Sequence, residues 1–169
     1  MDFFSKNLED TKNAAKKLLE NISGDHNGRK TAVVVGLYGE LGSGKTTFTQ
    51  AVGSLLGVKE SMASPTFVIE KIYKINSPTA AAFKNLSQFI HLIHIDAYRL
   101  ESPEEIRRLG WSDLLADPQN LILVEWPERI AAAMPEKHTR IYLEHIDENT
   151  RKIIIQNQNQ NQNGSGQKT

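Results

Sequence analysis

Apolar and polar residues follow helical and strand-like periods in turn along the first third of the chain. Leucine, isoleucine and alanine recur at helical spacing over residues 8–22, which predicts an amphipathic helix. A β-branched apolar run over residues 31–39 predicts a buried strand. Residues 45–57 return to a helical pattern, and Gly57 is expected near the end of that helix.

The remainder of the chain is dominated by predicted strands. Short apolar runs over 67–75, 89–96 and 120–125 favour strands, and the third of them ends at an acidic residue. Residues 140–146 and 151–156 flank the turn sequence "DENT" and are expected to form a hairpin. The strand, loop and helix over residues 31–57 follow one another in the order that a phosphate-binding motif requires.

One short helix is predicted from its end residues. Ser102 suits the N-cap, Pro103 suits the first helical position, and Glu105 has the spacing of a capping box. Gly110 is expected to end this helix.

We expect a single domain over residues 1–156, because 169 residues are enough for one normal core. Residues 76–88 form an insertion that is predicted to be a loop or a short helix. The tail over 157–169 is rich in Gln and Asn, and we expect it to be disordered and to take no part in catalysis.

Charge and composition narrow the classes of function. Twenty basic residues balance twenty acidic ones, so any contact with RNA is expected to run through partner proteins. The chain has no cysteine, which excludes disulfides and thiolate chemistry. The N-terminus does not resemble a signal peptide and the apolar runs are far short of a membrane span, so a cytoplasmic location is expected.

The strongest motif is "GELGSGKTT", Gly39 to Thr47, which matches G-x-x-x-x-G-K-[ST] and lies between a predicted strand and a predicted helix. Glycines at 39, 42 and 44 allow the backbone to curl and direct its N–H groups at a phosphate chain. Lys45 would place an ammonium against the β- and γ-phosphates, and Thr46 would offer a hydroxyl to Mg²⁺. The sequence therefore predicts a nucleotide-binding site.

Two acids at predicted strand ends are candidates to complete a magnesium site. Glu125 ends the apolar run 121–124, and Asp96 ends the run 89–95. If both strands are parallel to the strand before the phosphate loop, their carboxyl ends lie at the phosphate edge of the sheet. Glu125 is favoured as the metal-side ligand, direct or through water, and which of the two acids orders the attacking water stays open. The alternative is that each is a solvated acid at a strand end.

The nucleotide is expected to be ATP. Guanine-binding proteins usually carry N-K-x-D, which this chain lacks, and its D-x-x-G match at Asp25 precedes the phosphate loop. The chain has no cluster of arginines of the kind that a kinase lid uses, which favours hydrolysis over transfer to a metabolite. A small-molecule P-loop kinase and an ATP-dependent binding module remain the alternatives.

Three further strings, "SPTF" (64–67), "HIDAYRL" (94–100) and "VEWPE" (124–128), accompany the phosphate motif. Together the four resemble the TsaE family, also called YjeE, the small ATPase of bacterial tRNA threonylcarbamoyladenosine synthesis. The resemblance covers residues from about 11 to 151. It implies an α/β protein with a P-loop NTPase fold, which has a mostly parallel sheet, antiparallel edge strands and flanking helices.

The resemblance also implies roles for individual residues. Nucleotide-binding residues would come from the phosphate loop and two outlying positions: Thr11, Gly39, Leu41, Gly42, Ser43, Gly44, Lys45, Thr46, Thr47 and Trp126. Thr46 and Glu125 would hold Mg²⁺. The catalytic set would be Lys45, Asp96, Glu125 and Thr66, with Thr66 acting as a switch-like residue near the γ-phosphate.

Several neighbouring residues keep a structural alternative. Thr66 could cap a turn, and Tyr98 and Arg99 could pack the sheet edge or contact partners. His94 is expected to be a buried, hydrogen-bonded histidine rather than a ligand. Nucleotide contact by Asn149 or Arg151 is open.

The resemblance further implies the partners TsaD, which transfers the threonylcarbamoyl group to adenosine beside the anticodon, and TsaB, its scaffold. ATP hydrolysis on this chain would reset their complex between turnovers, and the chain would contact tRNA only indirectly, through that complex.

Overall fold

The computed structural model describes residues 1–24, 29–76 and 86–156. The predicted tail over 157–169 and most of the insertion over 76–88 lie outside these residues. The seven described strands are β1 (Asp2–Ser5), β2 (Val33–Tyr38), β3 (Glu70–Lys74), β4 (His91–Asp96), β5 (Asn120–Glu125), β6 (Thr139–His145) and β7 (Arg151–Gln156). The helical elements are α1 (Leu8–Gly24), α2 (Lys45–Leu55), α3 (Pro103–Arg108), α4 (Trp111–Ala116) and a 3₁₀ segment (Pro127–Ala133).

All seven strands form one sheet in the order β1-β7-β6-β2-β5-β4-β3. The four central strands β6, β2, β5 and β4 are mutually parallel. Strand β3 pairs antiparallel with β4, and β7 pairs antiparallel with both β6 and β1. The mostly parallel sheet with antiparallel edges confirms the predicted fold class, and β2 leads directly into the phosphate loop and α2, as a P-loop fold requires.

The sheet is covered on both faces, which explains why residues 121–124 of the central strand β5 are apolar at successive positions. Helices α1 and α2 pack on one face, where Leu121 and Leu123 of β5 meet α2 residues such as Phe48. Helices α3 and α4 and the 3₁₀ segment pack on the other face, against Ile122 and Val124. Alternate residues of β5 therefore enter separate cores, and the strand has little freedom to slip.

Strand β5 is also the link between the core and the phosphate edge. It lies between β2 and β4, with Glu125 beside Leu37 of β2 on one side and beside Asp96 of β4 on the other. Because the three strands are parallel, their carboxyl ends meet at the edge where the phosphate loop begins.

The short helix α3 has the predicted ends. The Glu105 carboxylate accepts the Ser102 backbone N–H at 3.1 Å, and Pro103 is the first helical residue. Gly110 follows the helix with φ 83°, a left-handed conformation that favours glycine.

Some boundaries and elements differ from the expectation. Strand β3 begins at Glu70 rather than at residue 67, because Ile69 adopts a left-handed φ of 68° that breaks the extended backbone. Strand β1, helix α4 and the 3₁₀ segment were not predicted. Among the described residues, no helix combines the length and apolar character needed to cross a membrane.

Candidate nucleotide and metal site

The phosphate loop joins β2 to α2, and three of its glycines have positive φ. Gly39, Gly42 and Gly44 have φ values of 149°, 78° and 100°. A Cβ at Gly39 would collide with the Leu143 carbonyl oxygen and lie 2.8 Å from Ser43 Oγ. Gly39 is therefore required both by its backbone conformation and by the close approach of β6, whereas Gly42 faces open space.

Lys45 opens α2 and folds back over the loop that precedes it. Its Nζ donates to the carbonyl oxygens of Gly39 at 2.7 Å and Glu40 at 2.9 Å. The same atom lies 3.8 Å from the ring centroid of Trp126, close enough for a cation–π contact. Burial lowers the pKa of Lys45, and the nearby carboxylates of Glu125, Glu128 and Asp96 oppose that shift.

Thr46 and Glu125 form a direct pair at the carboxyl end of β5. The Thr46 hydroxyl donates to Glu125 Oε1 at 2.9 Å and approaches Oε2 at 3.1 Å. Both residues are predicted metal ligands, and the structure brings them together from positions far apart in the sequence.

Asp96 ends the neighbouring strand β4 and is buried. Its Oδ2 accepts hydrogen bonds from the hydroxyls of Ser64 at 3.0 Å and Thr66 at 2.5 Å. Its Oδ1 accepts the Tyr98 backbone N–H at 3.0 Å. The "SPTF" segment is thus connected to the second acid of the site through two hydroxyl groups.

Two non-glycine residues beside these acids have left-handed backbones. Ile69 has φ 68° and its carbonyl oxygen accepts the Asp96 N–H at 2.9 Å. Trp126, which follows Glu125 directly, has φ 59°. Such conformations are costly for β-branched and bulky side chains, and here they fix the backbone around both carboxylates.

Two cavities meet at the phosphate loop and share Gly42, Gly44 and Thr47. The first, of about 310 Å³, is lined by residues that include Leu41, Lys45, Thr46, Thr66, Asp96, Glu125 and Trp126. The second, of about 290 Å³, is lined by residues that include Thr11, Ser43, Asn149 and Arg151. Thr11 is thus separated from the acids by the loop.

The remaining loop residues differ in exposure. Leu41 is 81% exposed at the mouth of the first cavity. Ser43 is buried, and its hydroxyl has no hydrogen-bond partner within the described part of the chain. Gly39 lines neither cavity, and its carbonyl oxygen holds the Lys45 ammonium instead.

His94 makes a contact that the sequence did not predict. His94 is fully buried, as expected. Its Nε2 lies 2.7 Å from Glu125 Oε1, so the histidine contacts a candidate metal ligand. Two-residue alternation places His94 on the same face of β4 as Asp96, but only the pairing of β4 with β5 shows that it reaches Glu125.

The donor set fits Mg²⁺ shared with a nucleotide. Mg²⁺ prefers oxygen ligands and is commonly bound through one or two protein side chains together with substrate phosphates. Thr46 and Glu125 supply a hydroxyl and a carboxylate at one point of the cavity wall. Within residues 1–24, 29–76 and 86–156, no group of three or more His, Cys, Asp or Glu side chains could form an all-protein cage.

Comparisons with known proteins agree on one family. The family model "Threonylcarbamoyl adenosine biosynthesis protein TsaE" matches residues 5–153. The chain is 36% identical to the tRNA threonylcarbamoyladenosine biosynthesis protein TsaE of Rickettsia felis over 146 residues, covering 86% of this chain and 73% of that protein. The TsaE protein of Rickettsia typhi is 33% identical over 151 residues, covering 89% of this chain and 90% of that protein.

A solved structure supports the same relationship at the level of the fold. The crystal structure of Bacillus subtilis YdiB superposes with a TM-score of 0.64 at 27% identity, covering 92% of this chain and 83% of that one.

Proposed function

Since the chain belongs to the TsaE family of threonylcarbamoyl adenosine biosynthesis proteins, we propose that it binds and hydrolyses ATP with Mg²⁺ in support of that modification of tRNA. The bond between Thr46 and Glu125 is the observation that carries the proposal. It joins the last residue of a phosphate-binding motif to a carboxylate at the end of the neighbouring parallel strand, where P-loop proteins bind the metal of a nucleotide.

Different groups of the protein would bind different parts of the nucleotide along the cleft. Backbone N–H groups of the phosphate loop, with the N-terminus of α2 behind them, would hold the phosphate chain. Lys45 would turn from the loop carbonyls toward the β- and γ-phosphates, and Trp126 would flank its ammonium. Thr46 and Glu125 would hold Mg²⁺, which would screen the phosphate charge that develops during hydrolysis.

Asp96 and Thr66 would act at the γ-phosphate end of the cleft. One carboxylate oxygen of Asp96 accepts hydrogen bonds from two hydroxyls, and the other accepts one from a backbone N–H. The carboxylate is therefore held in one orientation. A carboxylate fixed in this way can position a water molecule in line with a phosphorus atom. Thr66 would report the presence of the γ-phosphate to the "SPTF" segment, as switch residues do in other NTPases.

Adenine would occupy the second cavity, beside Thr11. The partners would be TsaD and TsaB in the cytoplasm, with ATP hydrolysis resetting their complex. The balanced charge of the chain supports a contact with tRNA that is indirect, because direct phosphate binding is favoured by a basic surface.

The test measures release of inorganic phosphate and tRNA modification in a mixture of the chain with TsaD, TsaB and the other components of threonylcarbamoyladenosine synthesis. We expect Glu125→Gln to bind ATP but to lower phosphate release about 100-fold or more, and modification to fall with it. Glu136→Gln removes an exposed carboxylate outside the cleft and serves as the control. Full modification by Glu125→Gln without turnover would favour a binding module, and γ-phosphate found on a metabolite would favour a kinase.

Lys45→Ala tests the nucleotide site itself. We expect this variant to lose ATP affinity or turnover, because the main cationic group of the phosphate site is removed. Parental hydrolysis in Lys45→Ala would contradict the assignment of the phosphate loop.

A further inference from the structure

The interior of the sheet contains a histidine that the proposed reaction does not use. His94 lies in the middle of β4 with 0% of its surface exposed. Its Nε2 contacts Glu125 Oε1 at 2.7 Å, and the exposed fraction of the Glu125 side chain is 4%. Burial of a polar pair to this extent costs free energy unless hydrogen bonds satisfy both partners.

The chemistry of the two groups sets the direction of the bond. A carboxylate only accepts hydrogen bonds, so His94 donates from Nε2. His94 Nδ1 is buried and has no hydrogen-bond partner in the described part of the chain. Of the two tautomers of the ring, the one with its hydrogen on Nε2 therefore fits these surroundings.

His94 and Thr46 together fix the orientation of the Glu125 carboxylate. Oε1 is held by His94 at 2.7 Å and by Thr46 at 2.9 Å. Oε2 has Thr46 as its protein donor, at 3.1 Å. His94 therefore holds one carboxylate oxygen from inside the sheet, and the other oxygen is left with the single, longer contact to Thr46.

We propose that His94 is a positioning residue that orients the Glu125 carboxylate for Mg²⁺ while touching neither the metal nor the nucleotide. This inference rests on the proposed function and adds a residue to it. Groups that hydrogen-bond to a metal ligand commonly set its orientation, and their loss lowers metal affinity about 10- to 100-fold.

Three variants separate orientation from packing. His94→Leu keeps a side chain of similar bulk and removes the donor. His94→Gln can place an amide N–H near the position of Nε2, and His94→Asn carries the same amide one methylene short of it. The Gln and Asn variants are both buried amides, so their comparison stands even if the Leu variant does not fold.

The readout is metal-dependent nucleotide binding rather than hydrolysis. A fluorescent ATP analogue is titrated into each protein with EDTA and then at increasing Mg²⁺, and Mn²⁺ binding in the presence of nucleotide is measured by electron paramagnetic resonance. We expect affinity without metal to stay within about twofold of the parent in all variants. The Mg²⁺ concentration for half-maximal tightening should rise about 10- to 100-fold in His94→Leu and His94→Asn, and by much less in His94→Gln.

The outcomes distinguish this inference from the proposed function. If the parent protein binds no nucleotide, the proposed function fails. If the parent shows the Mg²⁺ dependence and His94→Asn retains it, or if Gln and Asn are impaired equally, the positioning role is refuted and the proposed function stands. Loss of metal-free binding in every folded variant would assign His94 to packing and would also overturn the inference.

Discussion

Replacement of Gly39 by alanine should destabilise the protein more than the same change at Gly42, although both glycines belong to one loop. Each has a positive φ, 149° and 78°, and a non-glycine residue in a left-handed conformation costs about 1–2 kcal/mol. A Cβ at Gly39 would also meet the Leu143 carbonyl oxygen, whereas a Cβ at Gly42 meets nothing within 4 Å. Leu143 lies in β6, which is paired on both sides and cannot move away easily.

We expect this added collision to cost about 1–3 kcal/mol, as overpacking does in other rigid sites. The free energy of unfolding should thus fall by about 1–2 kcal/mol in Gly42→Ala and by about 2–5 kcal/mol in Gly39→Ala. The smaller entropy of alanine in the unfolded chain stabilises both variants by a similar amount and does not affect their difference.

The assay is urea unfolding without nucleotide, followed by circular dichroism, with the slope of each transition compared so that only stability is read. For a domain of this size, each kcal/mol by which Gly39→Ala is less stable than Gly42→Ala should lower its melting temperature by about 2–4 °C relative to Gly42→Ala. Equal destabilisation of the two variants, or a greater loss in Gly42→Ala, would refute the argument that β6 excludes a side chain at position 39.

Burial holds the pKa of His138 below its ordinary 6.5, so the unfolded chain binds more protons than the folded one just below pH 6.5. The protein therefore keeps its full stability from this group above pH 6.5 and loses part of it as the pH falls toward the lowered pKa. His138→Asn should weaken the pH dependence of the urea midpoint over that window. An unchanged pH dependence would contradict this. Glu105→Ala removes the acceptor of the Ser102 N–H and should cost about 1 kcal/mol, whereas Glu104→Ala removes an exposed ion pair and should cost less than about 0.5 kcal/mol by the same assay. Thr66→Val should lower phosphate release roughly 10- to 100-fold with ATP affinity kept, and Thr66→Ser should recover most of the rate; a valine variant as fast as the parent would exclude the hydroxyl from the reaction.

The sequence predicts the centre of this fold because local patterns and global packing agree there. The apolar run of β5 is buried on both faces, and the phosphate motif fixes the strand, loop and helix around Lys45 in order. Strand β1 escaped prediction since it has only four residues and its pairing partner is β7, at the far end of the described chain. The predicted strand β3 was too long because the left-handed backbone conformation of Ile69 cannot be recognised from a β-branched residue in a strand-like sequence.

The candidate site likewise has parts that the sequence predicts and parts that it does not. Thr46 and Glu125 follow from a motif and a strand end, and the parallel order of β2, β5 and β4 was the one assumption needed to place them together. The contact of His94 with Glu125 depends on the register between β4 and β5, which no single-strand pattern contains. The collision at Gly39 likewise depends on how closely β6 approaches the loop.

The pairing of β1 with β7 has a consequence for when the second cavity, the one proposed to hold adenine, exists at all. Ser5 at the end of β1 and Arg151 at the start of β7 are register partners, and both line that cavity. On the ribosome, the first of these strands emerges long before its neighbour is translated. Nascent chains that already display the phosphate loop therefore lack the complete second cavity, and a nucleotide bound there as proposed would not act as a folding ligand until synthesis of β7 is finished.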